Sequence, residues 1–234
     1  MELSKRLHMV ASMVEKGSIP ADVGCDHGYV AIYLIQNGIS PHVFAMDVNE
    51  GPLERAREHV EEYGLAAYID VRLSDGLSGL PCRGGRPEAD TLLAAGMGGR
   101  LMVKIMEEGR VTLAQMRWAI LQPQSEIAKV RAFLLQEGFL FIQEDMVEED
   151  GKYYTVMDVS RGAMEEMSQA ERLYGAYLIR HKNPVLREFL KRERDQLLKI
   201  REQLNAQSTD SARARLAELT RELDWNREAQ DEMQ

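Results

Sequence analysis

Four aspartates and a histidine stand where residues of their type could bind a ligand. The stretch Asp22-Val23-Gly24-Cys25-Asp26-His27-Gly28 follows a short apolar run, Asp47 closes the next such run with Val48 behind it, and Asp75-Gly76 follows a third. The first loop has two glycines but no Gly-x-Gly. It therefore departs from the dinucleotide fingerprint, whose middle glycine lets the backbone reach a pyrophosphate. Asp47 lies 23 residues beyond Gly24, the spacing at which an acidic side chain meets ribose hydroxyls. A ligand with a ribose, a positive charge and no pyrophosphate suits this set, and S-adenosylmethionine has those parts. Asp22, Gly24, Asp26, His27, Gly28, Asp47, Val48, Asp75 and Gly76 are its candidate binding residues. Asp47 and Asp75 could also simply begin turns, and His27 could simply bond backbone. A Cys25–His27 nucleophile lacks an orienting third group, so Cys25 reads as packing.

Two further loops complete the set. Ala94-Ala95-Gly96-Met97-Gly98-Gly99 permits close approach of backbone to cofactor at Gly96 and Met97, and to substrate at Gly98 and Gly99. Leu121-Gln122-Pro123-Gln124 brings two amides and a rigid proline to the same rim.

The elements that must position these residues follow from apolar periodicity. Leu3, Leu7, Val10 and Val14 give an opening helix. Apolar runs at 20–24, 43–47, 69–73, 91–95 and 118–121 read as strands, with helices between them, including 51–63, 101–108 and 125–137. Runs at 140–146 and 153–159, joined through Asp150-Gly151, read as a hairpin. Alternating strands and helices require a parallel sheet covered on both faces, a doubly wound Rossmann-like α/β fold, here with an antiparallel last strand. Such sheets bind ligands at the carboxyl ends of their strands, where strand order reverses.

Beyond residue 165 no strand is expected. Leu186, Leu190, Leu197, Ile200 and Leu204 make a helical seam interrupted by Glu193, and Leu216, Leu219 and Leu223 resume it after Gln207-Ser208-Thr209-Asp210. Residues 1–165 thus form a ligand-binding domain, and 166–234 a coiled-coil hairpin of two antiparallel helices.

Composition limits the function classes. The chain has 234 residues, 44% apolar and 6% aromatic, with a formal charge of −9, which excludes a wholly basic nucleic-acid binder. The charge is uneven: residues 171–204 hold nine basic and five acidic side chains, among them Arg187, Lys191, Arg192 and Arg194. Cys25 and Cys82 form neither a Cys-x-x-Cys pair nor a metal cluster, so neither a disulfide scaffold nor a bound metal is expected. No apolar run approaches the roughly 20 residues that span a bilayer, and no leader pattern begins the chain, so a cytoplasmic protein is expected.

Together, Leu3-Ser4-Lys5-Arg6-Leu7, Asp22-x-Gly24-x-Asp26-His27, Gly51-Pro52, Asp75-Gly76-Leu77, Gly96-Met97-Gly98-Gly99 and Leu121-Gln122-Pro123 resemble the bacterial tRNA (adenine-22, N1)-methyltransferase family. Two positions depart from its pattern: Asp47 stands in place of a glutamate and Gln124 in place of an asparagine. The resemblance implies a class I enzyme using S-adenosylmethionine to methylate N1 of adenine 22 in the tRNA D-arm. It further implies Asp26 as catalytic residue, and Gly98, Gly99, Gln122, Pro123, Arg187, Lys191, Arg192 and Arg194 as substrate contacts. The partner is tRNA, with no membrane and no metal, and the chain works as a monomer or weak homodimer. A non-enzymatic protein that binds S-adenosylmethionine and uses its helical hairpin for a protein partner fits the same residues. A nicotinamide-dependent oxidoreductase fits them less well, for want of the Gly-x-Gly.

Overall fold

The computed structural model describes residues 1–80, 82–83, 86–207 and 209–234, with the backbone alone at 82, 83 and 86. Ser208, in the expected interhelical break, and the side chain of Cys82 lie outside the described residues. The chain divides into two compact units, Met1–Met164 and Glu165–Gln234.

In the first unit, helix α1 (Lys5–Ser12) begins where the Ser4 hydroxyl accepts the Leu7 amide, and buries Met9, Val10 and Ala11. There follow β1 (Pro20–Val23), α2 (Tyr29–Gln36), β2 (Val43–Asp47), α3 (Glu50–Glu62) and β3 (Ile69–Leu73). A short hairpin, β4 (Cys82–Arg83) with β5 (Arg86–Pro87), precedes β6 (Thr91–Met97), α4 (Gly99–Glu108), α5 (Arg110–Leu113), β7 (Trp118–Pro123) and α6 (Ile127–Gln136). The unit closes with β8 (Phe139–Glu149) and β9 (Lys152–Arg161).

Seven strands form one sheet in the order β3-β2-β1-β6-β7-β9-β8. Every residue of β1 and β2 is buried, because helices cover both faces and leave no solvent side for polar alternation. Chain order reverses between β1 and β6, so the loops after these two strands diverge there and leave a crevice. The expected closing hairpin is present with one difference: β9 inserts between β7 and β8 and runs antiparallel to both, so β8 holds the edge. Asp150 and Gly151 both have positive φ (51° and 77°), as a two-residue turn matched to strand twist requires. Beneath the hairpin, Arg131 Nε donates to Glu144 Oε1 at 2.8 Å, an ion pair with side chains 1% and 0% exposed that ties α6 to β8.

The second unit corrects the two-helix expectation, since its described residues form four helices. α7 (Gln169–Tyr174) starts at a reciprocal capping box between Ser168 and Glu171 and stops at Gly175, where φ is 97°. α8 (Ala176–Arg180) is followed by Asn183, whose side chain caps α9 (Pro184–Asn205), with proline in its first turn. Thr209 caps α10 (Asp210–Glu232). Hydrogen bonds from Arg187, near the start of α9, to the Met233 carbonyl at the end of α10, and from Asn226 to the Leu190 carbonyl and to Glu193 further along, show that α9 and α10 run antiparallel. Their seam is not continuously apolar. Ile200 is exposed, and Glu193 accepts hydrogen bonds from Tyr174 Oη (2.7 Å) and from the fully buried Asn226 (2.9 Å).

Candidate active site

The loop after β1 turns back sharply over the neighbouring strand. The amides of Gly24 and Cys25 both donate to the Met46 carbonyl, at 2.8 and 3.0 Å, and Gly24, Asp26 and Gly28 all have positive φ (77°, 52° and 72°). The positive φ at Gly24 favours glycine, and a Cβ there would stand 3.1 Å from the Met97 methyl, the flexible end of that side chain. This turn, the ends of β2 and β6, and α1 enclose a cleft of about 320 Å³. Asp22, Gly24, Asp26, His27, Asp47 and Gly96 line it, together with Arg6, Cys25, Tyr29, Ala95 and Gln124.

Asp22 and Asp47 give the cleft its electrostatic character. They are 4% and 9% exposed. Burial, and then the charge of Asp47, push the Asp22 carboxyl up to about 7. One oxygen of Asp47 accepts the Asn49 amide at 2.9 Å, so this residue both begins a turn and faces the cleft. Asp26 has a side chain 71% exposed, and its Oδ1 lies 3.5 Å from His27 Nε2. The His27 ring stacks on Tyr29, with centroids 5.3 Å apart. Cys25 is buried, and burial together with Asp22, Asp47 and Asp26 drives its thiol far above its usual range, which leaves it protonated and without nucleophilic character.

Several other sequence candidates lie elsewhere. Gly28 is buried as the N-cap of α2, where a Cβ would stand 3.4 Å from that of Ala56, so it serves helix packing. Val48 is exposed just past β2. Asp75 and Gly76 line a separate depression of about 350 Å³ with Ile105 and Glu108 of α4. Gly99 is buried, and a Cβ there would meet the Ser125 carbonyl at 2.5 Å; Gly98, the N-cap of α4, abuts the Ser125 hydroxyl. Both let α4 pack closely on the β7–α6 loop. Gln122 is fully buried, and Pro123 is buried beside it. Gln122 Oε1 accepts from Arg6 Nη1 at 2.8 Å and from the Gly96 amide at 3.1 Å, so it braces the cleft wall from behind. Gln124 is the amide that reaches the cleft. Arg6 was not among the expected contacts, because only tertiary folding joins residue 6 to residues 96, 122 and 124.

The basic residues of α9 do not share one face. At about 100° per residue, Arg187, Lys191, Arg194 and Arg201 fall along one flank of the buried Leu186–Leu190–Leu197 seam. Arg192 and Lys199 fall on the far side.

The raised Asp22 carboxyl has a measurable consequence. The folded chain holds a proton there that the unfolded chain releases above pH 3.8, so the contribution of Asp22 to stability is fullest below that pH and is lost as pH rises through about 7. In the unliganded protein, Asp22→Asn should remove this decline, a difference of roughly 4 kcal/mol between pH 4 and pH 7.5. Urea unfolding of both proteins at the two pH values measures it.

The comparisons with known proteins agree with this geometry. Residues 20–228 match the sequence profile of the family described as tRNA (adenine(22)-N(1))-methyltransferase. A Bacillus subtilis protein of that name is 34% identical over 237 residues, covering 99% of this chain and 98% of its own. The crystal structure of Streptococcus pneumoniae Sp1610 in complex with S-adenosyl-L-methionine superposes with a TM-score of 0.85 at 33% identity, covering 97% of this chain and 99% of that one. The M. capricolum TrmK structure with S-adenosyl-homocysteine gives a TM-score of 0.86 at 25% identity, with both chains covered in full. The non-enzymatic alternative finds no support among these relatives. A cleft of this construction in a chain of this sequence identifies a member of the tRNA (adenine(22)-N(1))-methyltransferase family.

Proposed function

We propose that this chain transfers the methyl group of S-adenosylmethionine to N1 of adenine 22 in tRNA. The observation that carries the reading is the pair of buried carboxylates, Asp22 and Asp47, at the switch point of the sheet. A carboxyl poised at about 7 is costly to ionise alone and gains most from a cationic ligand, and the bound cofactor supplies a methyl group on a positively charged sulfur. A cleft of about 320 Å³ lies within the roughly 300–1,000 Å³ of small-molecule sites.

In this reading Asp22 holds the ammonium group of the cofactor, and the Asp47 oxygens, each with two lone pairs, take the ribose hydroxyls. Val48 flanks the adenine ring, and Asp75-Gly76 of the neighbouring depression faces its edge, brought beside Asp47 by the Ser74 amide, which donates to the Asp47 carbonyl at 2.8 Å. Gly24, Gly96 and Met97 let the backbone close on the methyl-bearing end. His27, through its stack with Tyr29, holds the outer wall. Gly96 and Gln124 form the substrate rim, with Gly98, Gly99, Gln122 and Pro123 behind it.

The target N1 carries a lone pair at neutral pH, so attack on the methyl group requires no prior deprotonation, and positioning supplies most of the rate. The methylated base becomes cationic. Asp26, exposed at the mouth of the cleft, stabilises that charge or accepts the proton lost from the amino group. An N1 edge engaged inside folded tRNA reaches the cleft by extrusion of the nucleotide or by local opening of the arm. The helical unit holds the RNA through Arg187, Lys191 and Arg194, with Arg192 on a second face. The chain acts in the cytoplasm as a monomer or weak homodimer; among the described residues no helix is long and apolar enough to cross a membrane.

Three measurements test this. Labelled methyl should enter a tRNA transcript with adenine at position 22 and not a copy with guanine there; equal incorporation into both rejects the assigned site. Asp26→Ala should lower the single-turnover rate on the order of 100-fold at saturating cofactor, and an unchanged rate removes Asp26 from the chemistry. Neutralising Arg187, Lys191 and Arg194 together should leave cofactor affinity intact and reduce the slope of log affinity against log salt for tRNA by about 2–3. An unaltered slope would place the RNA elsewhere.

A further inference from the structure

Asp22, Asp26 and Asp47 answer the positive charge and the hydroxyls of the proposed cofactor, but its amino-acid end also carries a carboxylate, and three acids around it would repel that group. Among the described residues lining the cleft, Arg6 is the one guanidinium or ammonium. It comes from α1, outside the strand-loop set that makes the rest of the site.

Its placement is set from several sides. Arg6 Nη1 donates to the buried Gln122 Oε1 at 2.8 Å, and the same oxygen accepts the Gly96 amide at 3.1 Å, so guanidinium and cleft wall share one brace. The Arg6 Cζ stands 5.6 Å from the Tyr154 ring centroid. One residue earlier, the Lys5 amide donates to Glu149 Oε1 at 2.6 Å and fixes the start of α1 against β8. A neutral amide partner consumes one N–H without neutralising the charge, and the rest of the planar fork stays suited to an oxyanion.

We propose that Arg6, braced by Gln122, is the residue that binds the α-carboxylate of the cofactor. This rests on the reading of the cleft as an S-adenosylmethionine site. A phosphate of the extruded nucleotide offers the same chemistry. The half-buried depth of Arg6, tied to a side chain with no exposure, favours the small ligand over a backbone that must stay outside the cleft. Arg6 is thus a binding residue, and Gln122 a positioning residue that acts through it.

Calorimetry on the full chain tests this with two ligands: S-adenosylmethionine, and its decarboxylated form, which keeps the sulfonium and ammonium and lacks only the carboxylate. Arg6→Met should weaken S-adenosylmethionine about 10- to 100-fold and alter the decarboxylated ligand by less than about threefold. Arg6→Lys, which keeps the charge and loses the fork, should fall between wild type and Arg6→Met for the first ligand and leave the second unchanged. Gln122→Leu should follow the same selectivity, whereas a merely structural role would weaken both ligands alike. Equal losses for the two ligands would overturn the assignment. So would unchanged S-adenosylmethionine affinity, including the case in which Arg6→Met weakens tRNA instead, which would give the guanidinium to a phosphate. Wild-type binding of S-adenosylmethionine tests the cofactor reading independently of Arg6, and a wild type that binds neither ligand overturns both.

Discussion

Two carboxylates forced together out of water set the terms for this fold. Asp22 and Asp47 sit at adjoining ends of β1 and β2, both nearly buried, and the repulsion between them adds to the desolvation that lifts Asp22 to about 7. Such a pair persists only where the surrounding backbone leaves it no way to relax. Here the parallel pairing of β1 with β2 holds both strand ends in register, and the Met46 carbonyl anchors the turn between them by accepting two amides. On the proposed reading, a cationic ligand relieves the destabilisation that this pair imposes on the unliganded cleft.

The sheet was legible in the sequence because each of its elements carries a local signal. Apolar runs marked β1, β2 and β3 almost to the residue, and Asp150-Gly151 announced the hairpin turn. The register that inserts β9 between β7 and β8 depends on long-range pairing, which no local pattern reports. In the site, aspartates at strand ends could be found by spacing from Gly24. Gln122 and Gly99 could not be placed, since a glutamine or glycine beside a strand end reads alike whether it faces a ligand or packs behind the wall. Ser168-x-x-Glu171 and Asn183-Pro184 are the capping signals that begin α7 and α9, but α7, at six residues, is too short to carry the leucine spacing that marks the longer helices.

The helical unit repeats the theme of polar groups kept inside. Glu193 breaks the apolar spacing of α9, yet it accepts hydrogen bonds from Tyr174 and Asn226, while Asn226 also holds the Leu190 carbonyl. A helix pair slipped along its axis would leave these buried groups without partners, at a cost greater than that of a leucine moved against another leucine. The network therefore pins the register of α9 against α10. It also fixes which flank of α9 presents Arg187, Lys191, Arg194 and Arg201 together, so the spacing of these charges is as constrained as the core beneath them.

Methyl transfer from a sulfonium to N1 moves a positive charge across the cleft without creating or destroying one. A uniformly acidic pocket would stabilise the charge equally before and after transfer and would contribute binding without rate. On the proposed reading the acids of this cleft are graded. Asp22 and Asp47 lie buried at the cofactor end, where low dielectric strengthens their effect, and Asp26 stands exposed at the mouth where the charge arrives. Arg6, on the α1 side, offsets part of the field of the buried pair. The charge is thereby drawn toward the substrate with less opposition than three acids alone would impose. The exposure of Asp26 is consistent with this role: a carboxylate that must meet an incoming base and then release a cationic product is better placed in water than sealed within the core.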